Sequence, residues 1–350
     1  MSADPGVDPA LNRLASADDD VRQLREAVRG ALAATKAGEG ASVDPDWRAW
    51  WPALADLGLM AFCVPEDHGG FGLRADVAVA AAAELGAALH GAPFAGLTAS
   101  AHVLAVNGDD PVAAEVLTGV LTGERICALG LLTTSGDAAR MVDGAADADA
   151  LVLLDSSAGS ALVLTDPAQW NADTALQSFD VSRTCAAIRV LQGAGHHLPR
   201  VGSAAQLYRL LLNADAVGGV QSMLDRTVAF TKQRTAFGRP IGGFQAVQHR
   251  LVDHALRARG MALLVEEAAR LLRDGSPDAG RHVAMAEVSV SSQASHILHD
   301  LLQLTGAIGF TWEYGLHSFE RRVHQDARLA ANPRAAVRSL AAFEGWAHVD

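Results

Sequence analysis

The feature that most constrains the fold of this chain is a long helical repeat between residues 244 and 272. Apolar or partly apolar side chains recur there every three or four residues, at Phe244, Val247, Leu251, His254, Ala258, Met261, Val265, Ala268 and Leu272. This spacing matches the period of an α-helix and predicts an uninterrupted helix of about eight turns. A second stripe over 283–301 follows the Gly275-Ser276-Pro277 turn, and a third helix is predicted over 207–228, where Gly218-Gly219 favours a close crossing. With the segment after Trp312, these helices predict a four-helix bundle.

The rest of the chain divides into two further regions. Residues 1–125 carry shorter helical patterns, with an acidic run at 18–20 that suits a helix start and an alanine-rich stretch at 75–89. Short apolar runs bounded by Gly, Asp, Ser and Pro then predict β-strands at 126–132, 150–154, 160–164 and 185–190. We therefore predict an α+β protein with three domains: an N-terminal helical domain over 1–125, a small middle β-domain over 126–203, and a C-terminal helical bundle over 204–350.

Composition excludes several classes of function. Forty acidic against 28 basic residues give a formal net charge of −12, the opposite of what a nucleic-acid or anionic-membrane partner requires. Cys63, Cys127 and Cys185 match no metal-ligand spacing, and His296 with His299 lacks a third ligand, so no metal site is predicted. The acidic N-terminus is unlike a secretory signal, and no apolar run approaches the ~20 residues of a membrane span. These observations predict a cytoplasmic protein with reduced thiols.

The segment 234–249 carries the strongest chemical signal. It reads Arg-Thr-Ala-Phe-Gly-Arg-Pro-Ile-Gly-Gly-Phe-Gln-Ala-Val-Gln-His, a Gly- and Pro-rich turn between two helices that should bring Arg234 close to Gln245. A guanidinium beside exposed main-chain N–H groups suits the two negative charges of a pyrophosphate. The segment resembles the Arg-x-x-Phe-Gly-x-Pro-Ile-x-x-Phe-Gln signature of the acyl-CoA dehydrogenase family. In that family this loop holds the pyrophosphate and adenine half of an FAD bound across a subunit interface.

A second motif occurs in the family's order and spacing. Residues 303–310 read Gln-Leu-Thr-Gly-Ala-Ile-Gly-Phe and resemble the family's Gln-x-x-Gly-Gly-x-Gly-Phe, with Ala307 in place of one glycine. Glycine lets the main chain approach a ligand without a Cβ between them. The resemblance covers nearly the whole chain and implies the acyl-CoA dehydrogenase fold with FAD as cofactor. The FAD-binding residues that it implies are Arg234, Phe237, Gln245, Gln303 and Gly306.

The half of the site that would surround the flavin ring departs from the family. Members carry a Thr-Glu-Pro-x-x-Gly-Ser-Asp loop and a Trp-Ile-Thr-Asn-Gly strand there, whereas this chain has 131–138 and then 142–149, without the Glu-Pro pair. Thr133, Thr134 and Ser135 are either donors to a flavin edge or ordinary loop hydroxyls. We predict that the chain keeps the adenine-side contacts and has lost much of the ring-side pocket.

The catalytic base is missing from both positions at which the family carries it. Removal of an α-proton from an acyl-CoA thioester needs a carboxylate within hydrogen-bond reach. The family's two glutamate positions correspond here to Tyr208 and to a segment near Ala330. Asp215 and Glu313 are weak substitutes, since each is also a typical solvated or ion-paired helix residue.

The resemblance also assigns Arg209, next to the missing base, to substrate binding. Arg321 and Arg322 either meet the phosphates of coenzyme A or belong to solvated helix faces and salt bridges. The paired arginines, the chain length and the short middle domain resemble the short subunits of actinobacterial steroid acyl-CoA dehydrogenases, which work as α2β2 heterotetramers.

We therefore predict an FAD-dependent acyl-CoA dehydrogenase subunit that acts with a homologous partner chain and an electron-transfer flavoprotein or similar acceptor. Steroid or lipid catabolism is the expected setting of this activity. Two alternatives stay open: a homo-oligomeric dehydrogenase with a relocated base, and a non-catalytic subunit that only clamps FAD and supports assembly. The sequence leaves open the acyl group, the partner and whether the subunit has an active site of its own.

Overall fold

A computed structural model describes residues 9–35, 47–49, 51–173, 178–330 and 333–346. The N-terminal part is helical, as predicted, and its five α-helices are α1 (Pro9–Thr35), α2 (Trp51–Ala55), α3 (Ala75–Ala87), α4 (Phe94–Val106) and α5 (Pro111–Leu121). Helix α5 starts where the Asp110 carboxylate accepts hydrogen bonds from the main-chain amides of Val112 and Ala113. None of the described helices has the length and apolar composition needed to cross a bilayer.

The middle part is a pair of small sheets. Its seven strands are β1 (Cys127–Leu131), β2 (Ala138–Asp143), β3 (Ala150–Asp155), β4 (Ser160–Leu164), β5 (Trp170–Asp173), β6 (Cys185–Val190) and β7 (His196–Leu198). One sheet has the order β1-β3-β4-β7, with β1 and β3 parallel, and the other has the order β2-β6-β5. The four predicted strands are confirmed, whereas β2, β5 and β7 are short, partly polar strands that the apolar runs did not reveal.

The inner strand β3 is apolar from Ala150 to Leu154 because both of its faces are covered. Val152 and Leu154 join the large core that continues into the helices, while Leu151 and Leu153 join a second core between the two sheets. An unbroken apolar run, rather than alternation, is what a strand covered on both sides requires.

The C-terminal part is a set of long helices: α6 (Ala204–Gln233), α7 (Gln245–Arg273), α8 (Ala279–Thr305), α9 (Leu316–Ala330) and α10 (Pro333–Phe343). Helices α7 and α8 pack closely along their length. Their register is fixed at one end by Asp300, whose carboxylate accepts hydrogen bonds from Arg250 and, at 2.6 Å, from His254. The start of α7 and the end of α8 therefore lie at the same end of the bundle.

The N-terminal helices join the bundle through a close crossing of α3 and α6. A Cβ atom on Gly218 would lie 1.9 Å from the carbonyl oxygen of Ala83, and one on Gly86 would lie 2.0 Å from that of Asp215. No other residue type fits this main-chain contact, which confirms the close crossing predicted at Gly218-Gly219.

Candidate functional site

The segment after α6 is a tight hairpin, made of β8 (Thr235–Ala236) and β9 (Arg239–Pro240). Its two turn residues, Phe237 and Gly238, have φ angles of 52° and 78°, the left-handed values of a two-residue hairpin turn. A 2.8 Å hydrogen bond from the Ile241 amide to the Arg234 carbonyl closes the loop. We call residues 234–241 the clamp hairpin.

Aromatic contacts hold the clamp hairpin against the start of α7. The rings of Phe237 and Phe244 meet edge to face at 6.2 Å, and the Arg239 guanidinium lies 4.0 Å from the centre of the Phe244 ring. The Phe237 side chain is nonetheless 95% exposed. The tip of the hairpin therefore presents an almost fully exposed phenyl ring to solvent.

The structure places all five sequence-predicted FAD residues at one end of the bundle. Arg234 ends α6, Phe237 tips the hairpin, Gln245 starts α7, and Gln303 and Gly306 lie where α8 ends. The ring of Tyr314 packs edge to face on Phe230, which ties the segment after α8 to the last turns of α6. We call this surface the clamp end.

Polar groups of the clamp end are free to bind a ligand. Arg234, Gln245 and Gln303 are exposed, and their side chains make no hydrogen bond or ion pair with the described residues. Gly306 has a φ of 65°, and a Cβ there would meet no atom of the described chain within 4 Å. A free guanidinium, two free amides and open main chain fit an anionic dinucleotide.

Two of the three predicted ring-side hydroxyls, those of Thr133 and Ser135, are engaged in a local turn. Thr133 and Ser135 share a 2.8 Å hydrogen bond between their hydroxyl oxygens, and the Ser135 hydroxyl donates to the Asp137 carboxylate at 2.5 Å. Of the two interpretations offered by the sequence, this arrangement favours ordinary loop hydroxyls.

A buried ionic network lies where the β-domain meets the bundle. Its members come from the end of β2, the segment before β6, α6 and α9, and each has a side chain less than 10% exposed. We call this set the junction network: Asp143, Asp180, Arg183, Asp215, Arg322 and Asp326.

Arg183 is the hub on the β-domain side. Its guanidinium donates hydrogen bonds to Asp326 at 2.6 Å and to Asp215 at 3.0 Å, and it lies 3.5 Å from the carboxylate of Asp143. These three aspartates stand on α9, α6 and β2. One side chain therefore ties the β-domain to two helices of the bundle.

Arg322 is the hub on α9. It donates to the carboxylates of Asp180 and, at 3.3 Å, Asp215, and at 3.1 Å to the main-chain carbonyl of His90. Its side chain is 1% exposed and ion-paired, so of the interpretations offered by the sequence a salt bridge fits Arg322, whereas a phosphate contact and a solvated face do not. A guanidinium buried this deeply needs several acceptors, and here it has them.

Four carboxylates share two guanidiniums in this network, which sets their protonation. Burial raises the pKa of Asp143, and it raises the pKa of Asp326 well above the usual range of a carboxyl. Burial acts in the same direction on Asp180, but the charges of Arg322 and Arg183 outweigh it and lower the pKa of that group. Asp326 is thus the member that favours a bound proton.

The positions at which the family carries a base lie in or beside this network. Tyr208 is buried, and burial together with the charge of Asp143 raises the pKa of its phenol well above the ordinary value, so it is no base near neutrality. Ala330 is the buried last residue of α9, and residues 331–332 after it lie outside the described part of the chain.

The two candidate substitutes for the catalytic base, Asp215 and Glu313, are also poorly placed to remove a proton from a substrate. Asp215 is 6% exposed, and both of its oxygens face guanidiniums. Glu313 is exposed, and hydrogen bonds from its own amide and the Thr311 hydroxyl lower its pKa. Neither carboxylate combines a free oxygen with a closed pocket.

Arg209, the predicted substrate residue, is engaged inside the bundle. Its guanidinium lies 2.5 Å from the carboxylate of Glu287 on α8, and Glu287 is 2% exposed. This pair explains why the bundle tolerates a carboxylate in its core. Among the described residues no group of three or more His, Cys, Asp or Glu side chains could hold a metal ion.

Comparison with known proteins decides the family. The model of the acyl-CoA dehydrogenase N-terminal domain matches residues 18–124, and that of the C-terminal domain matches residues 198–331. The chain belongs to the acyl-CoA dehydrogenase family. This membership confirms the predicted fold and the activity class, an oxidoreductase acting on acyl-CoA, and the cofactor of the family is FAD.

Two curated relatives match almost end to end. The acyl-CoA dehydrogenase IpdE2 of Mycolicibacterium smegmatis is 28% identical over 323 residues, which cover 91% of this chain and 92% of the relative. IpdE2 of Mycobacterium tuberculosis is 29% identical over 332 residues, covering 92% and 96%. Among solved structures, one described as the "Tcur3481-Tcur3483 steroid ACAD G363A variant" has a TM-score of 0.78 at 20% identity, covering 95% of this chain and 99% of that one.

The sequence pointed to the clamp end but missed the junction network. The family signature is a contiguous motif, whereas the members of the network lie between residues 143 and 326 and share no motif. The local signals that this region differs from the family were the absence of a carboxylate at Tyr208 and near Ala330 and the absence of the Glu-Pro pair.

Proposed function

We propose that this chain is the clamp-donating subunit of a cytoplasmic, FAD-dependent acyl-CoA dehydrogenase, and that a homologous partner chain completes the active site. The observation that carries the proposal is the clamp end, where Arg234, Gln245 and Gln303 face outward without partners among the described residues. Groups that face away from their own chain are placed to serve a ligand held by another subunit.

Each clamp residue has a role that follows from its chemistry. The Arg234 guanidinium would neutralise the pyrophosphate, the amides of Gln245 and Gln303 would bind polar edges of the adenosine half, and Gly306 would let the main chain approach. The Phe237 ring would cover apolar surface of the cofactor. Bound FAD supplies the hydride acceptor for α,β-dehydrogenation of the acyl-CoA.

The exposed surface near the clamp end supports a partner chain. Val252, Leu256 and Leu263 form an apolar stripe on the outer side of α7, and Phe310 and Trp312 stand exposed beyond the end of α8. Large exposed apolar groups of this kind mark protein–protein contact sites.

Similar proteins support a mixed assembly and a bulky substrate. One similar structure carries two protein names and the words "steroid ACAD" in its description, and the end-to-end relatives are named IpdE2. We propose an α2β2 heterotetramer that acts on a steroid-like or other lipid-derived acyl-CoA and passes electrons to an electron-transfer flavoprotein or similar acceptor.

The test is to purify the chain alone and together with a homologous dehydrogenase chain encoded beside it. The proposal expects a chain that is colourless alone and a yellow, dye-reducing heterotetramer from the co-expressed pair. A yellow homotetramer that reduces dye with an acyl-CoA would instead establish the homo-oligomeric dehydrogenase. A mixed tetramer without flavin or activity would leave only an assembly role.

A further inference from the structure

The segment from Ser178 to Arg183 fills the space between the β-domain and α9. Three of its residues are anchored to α9. The hydroxyl of Ser178 and the main-chain amide of Asp180 donate to the side-chain oxygen Oε1 of Gln325, at 2.8 and 2.9 Å. Arg183 donates to the carboxylate of Asp326. We call residues 178–183 the junction plug.

The plug is tied together internally as well. Asp180 accepts hydrogen bonds from the amide and the hydroxyl of Ser182, at 2.9 and 2.6 Å, and it accepts a further bond from Arg322. The Asp180 side chain is 0% exposed and that of Arg183 is 3% exposed. The segment therefore turns Asp180, Ser182 and Arg183 into the protein interior, whereas Phe179 and Val181 between them face solvent.

This interior is also the place where the resemblance positions the flavin ring and the base. Asp143 belongs to the region that corresponds to the family's ring-side strand, and it lies 3.5 Å from Arg183 of the plug. Tyr208 stands at one base position, and Asp326 lies one helical turn before the other. A planar flavin ring needs an open slot lined by neutral groups, whereas this space holds the side chains of four aspartates and two arginines.

We infer that the junction plug closes this chain's own domain junction to a flavin ring and an acyl chain. The inference deepens the proposed function, because it assigns all chemistry in the assembly to junctions of the partner chain. Opening the junction would expose or separate several buried ion pairs, and loss of one partner of such a pair costs several kcal/mol. Cofactor binding at this place would have to supply that free energy first.

The alkylation rate of a native cysteine, Cys185, measures whether the domain junction is closed. The Cys185 thiol accepts a 2.9 Å hydrogen bond from the Gln325 amide and lies 3.8 Å from the Asp143 carboxylate, inside the junction. Cys63 and Cys127 are buried in the large core and serve as internal references. The experiment alkylates the full-length chain alone with iodoacetamide, with and without added FAD, and follows each cysteine by peptide mass spectrometry.

The closed junction predicts that Cys185 is alkylated as slowly as the two reference cysteines, within about twofold, and that FAD changes nothing. Alkylation of Cys185 about tenfold faster than the references, with protection by FAD, would overturn the inference. Because the measurement uses the chain without its partner, its result is independent of whether a mixed tetramer forms.

Variants of the residues that anchor the junction plug to α9 give a second test, again by the rate of Cys185 alkylation. Gln325→Ala removes two anchors of the plug and the hydrogen bond to the Cys185 thiol without changing charge, so it should accelerate alkylation of Cys185 severalfold and leave Cys63 and Cys127 unchanged. Ser178→Ala, which removes one anchor, should do the same to a smaller degree. Gln293→Ala is the matched control, because among the described residues the Gln293 side chain bonds only within α8, to Ser289. Unchanged Cys185 reactivity in both plug variants would contradict the anchoring role.

Discussion

The guanidinium of Arg183 donates a 2.6 Å hydrogen bond to the carboxylate of Asp326, and this pair joins the β-domain to α9 through the protein interior. Together with Arg322 and its four acceptors (Asp180, Asp215, Ser182 and the His90 carbonyl), it makes the junction between the domains a folded core. The chain therefore has two regions of opposite accessibility: side chains fill the domain junction, whereas the polar groups of the clamp end are exposed.

Arg322→Met should destabilise the isolated chain by about 3–5 kcal/mol, because it leaves Asp180 buried without its guanidinium. Urea unfolding measures the loss. Arg189→Met is the control, since Arg189 is 72% exposed and lies 4.0 Å from Asp137. An exposed pair of this kind contributes less than about 1 kcal/mol. Similar losses in the two variants would contradict the structural role of the network.

Asp326→Asn should change how stability depends on pH. Burial raises the pKa of Asp326 well above that of the unfolded carboxyl, about 3.9, so the folded chain keeps a proton that the unfolded chain loses. The free energy of unfolding of the wild type then falls as pH rises from about 4 through the folded-state pKa. Asparagine keeps an oxygen for Arg183 and removes this titration.

The variant should therefore gain stability relative to the wild type between pH 5 and pH 8, as measured by urea unfolding at both values. Asp253→Asn, on the exposed face of α7, should follow the wild type. A difference between Asp326→Asn and the wild type that is equal at the two pH values would argue that Asp326 is ionised throughout.

Gly218→Ala should destabilise the chain by about 3 kcal/mol or more, since the new methyl group would lie 1.9 Å from the carbonyl oxygen of Ala83 and force α3 and α6 apart. Gly260→Ala is the matched helix glycine. A Cβ there meets no atom within 4 Å, so the substitution should raise stability by about 0.5–1 kcal/mol. Thermal and urea unfolding of both variants compare the two effects, and a stable Gly218→Ala protein would refute the close crossing.

Phe237→Asn should leave the stability of the isolated chain within about 0.5 kcal/mol of the wild type, because the ring is 95% exposed and asparagine accepts a left-handed φ. In the mixed assembly it should weaken FAD binding about tenfold, the size expected for loss of one buried apolar contact. Fluorescence titration with FAD measures the affinity. Leu191→Asn, an exposed apolar residue after β6, should bind FAD like the wild type.

The clamp end was predictable because its determinants are local. The hairpin needs only the left-handed pair Phe237-Gly238, and the period of the apolar stripe between residues 244 and 272 predicts the helix that follows. Family resemblance then joined these elements to the motif that starts at Gln303.

The junction was not predictable because its determinants are distant in sequence. Arg322 meets Asp180 and Asp215 across 142 and 107 residues, and no spacing rule links such positions. Their burial depends on how two domains pack, so the sequence offered a phosphate contact, a solvated face or a salt bridge for Arg322 without naming its partners. The strand β2 was also missed, because its polar positions break the apolar run.

The FAD content of the co-expressed tetramer, measured when this chain carries Arg234→Met, tests most directly whether this chain donates the FAD clamp. Arg234 has no partner within the described part of its own chain, so we predict a tetramer of normal size and stability that loses most of its FAD on gel filtration. Lys232→Met, which removes another exposed cation from the last turn of α6, should keep its FAD. An Arg234→Met tetramer that retains full flavin absorbance would contradict the assignment of this chain as the clamp donor.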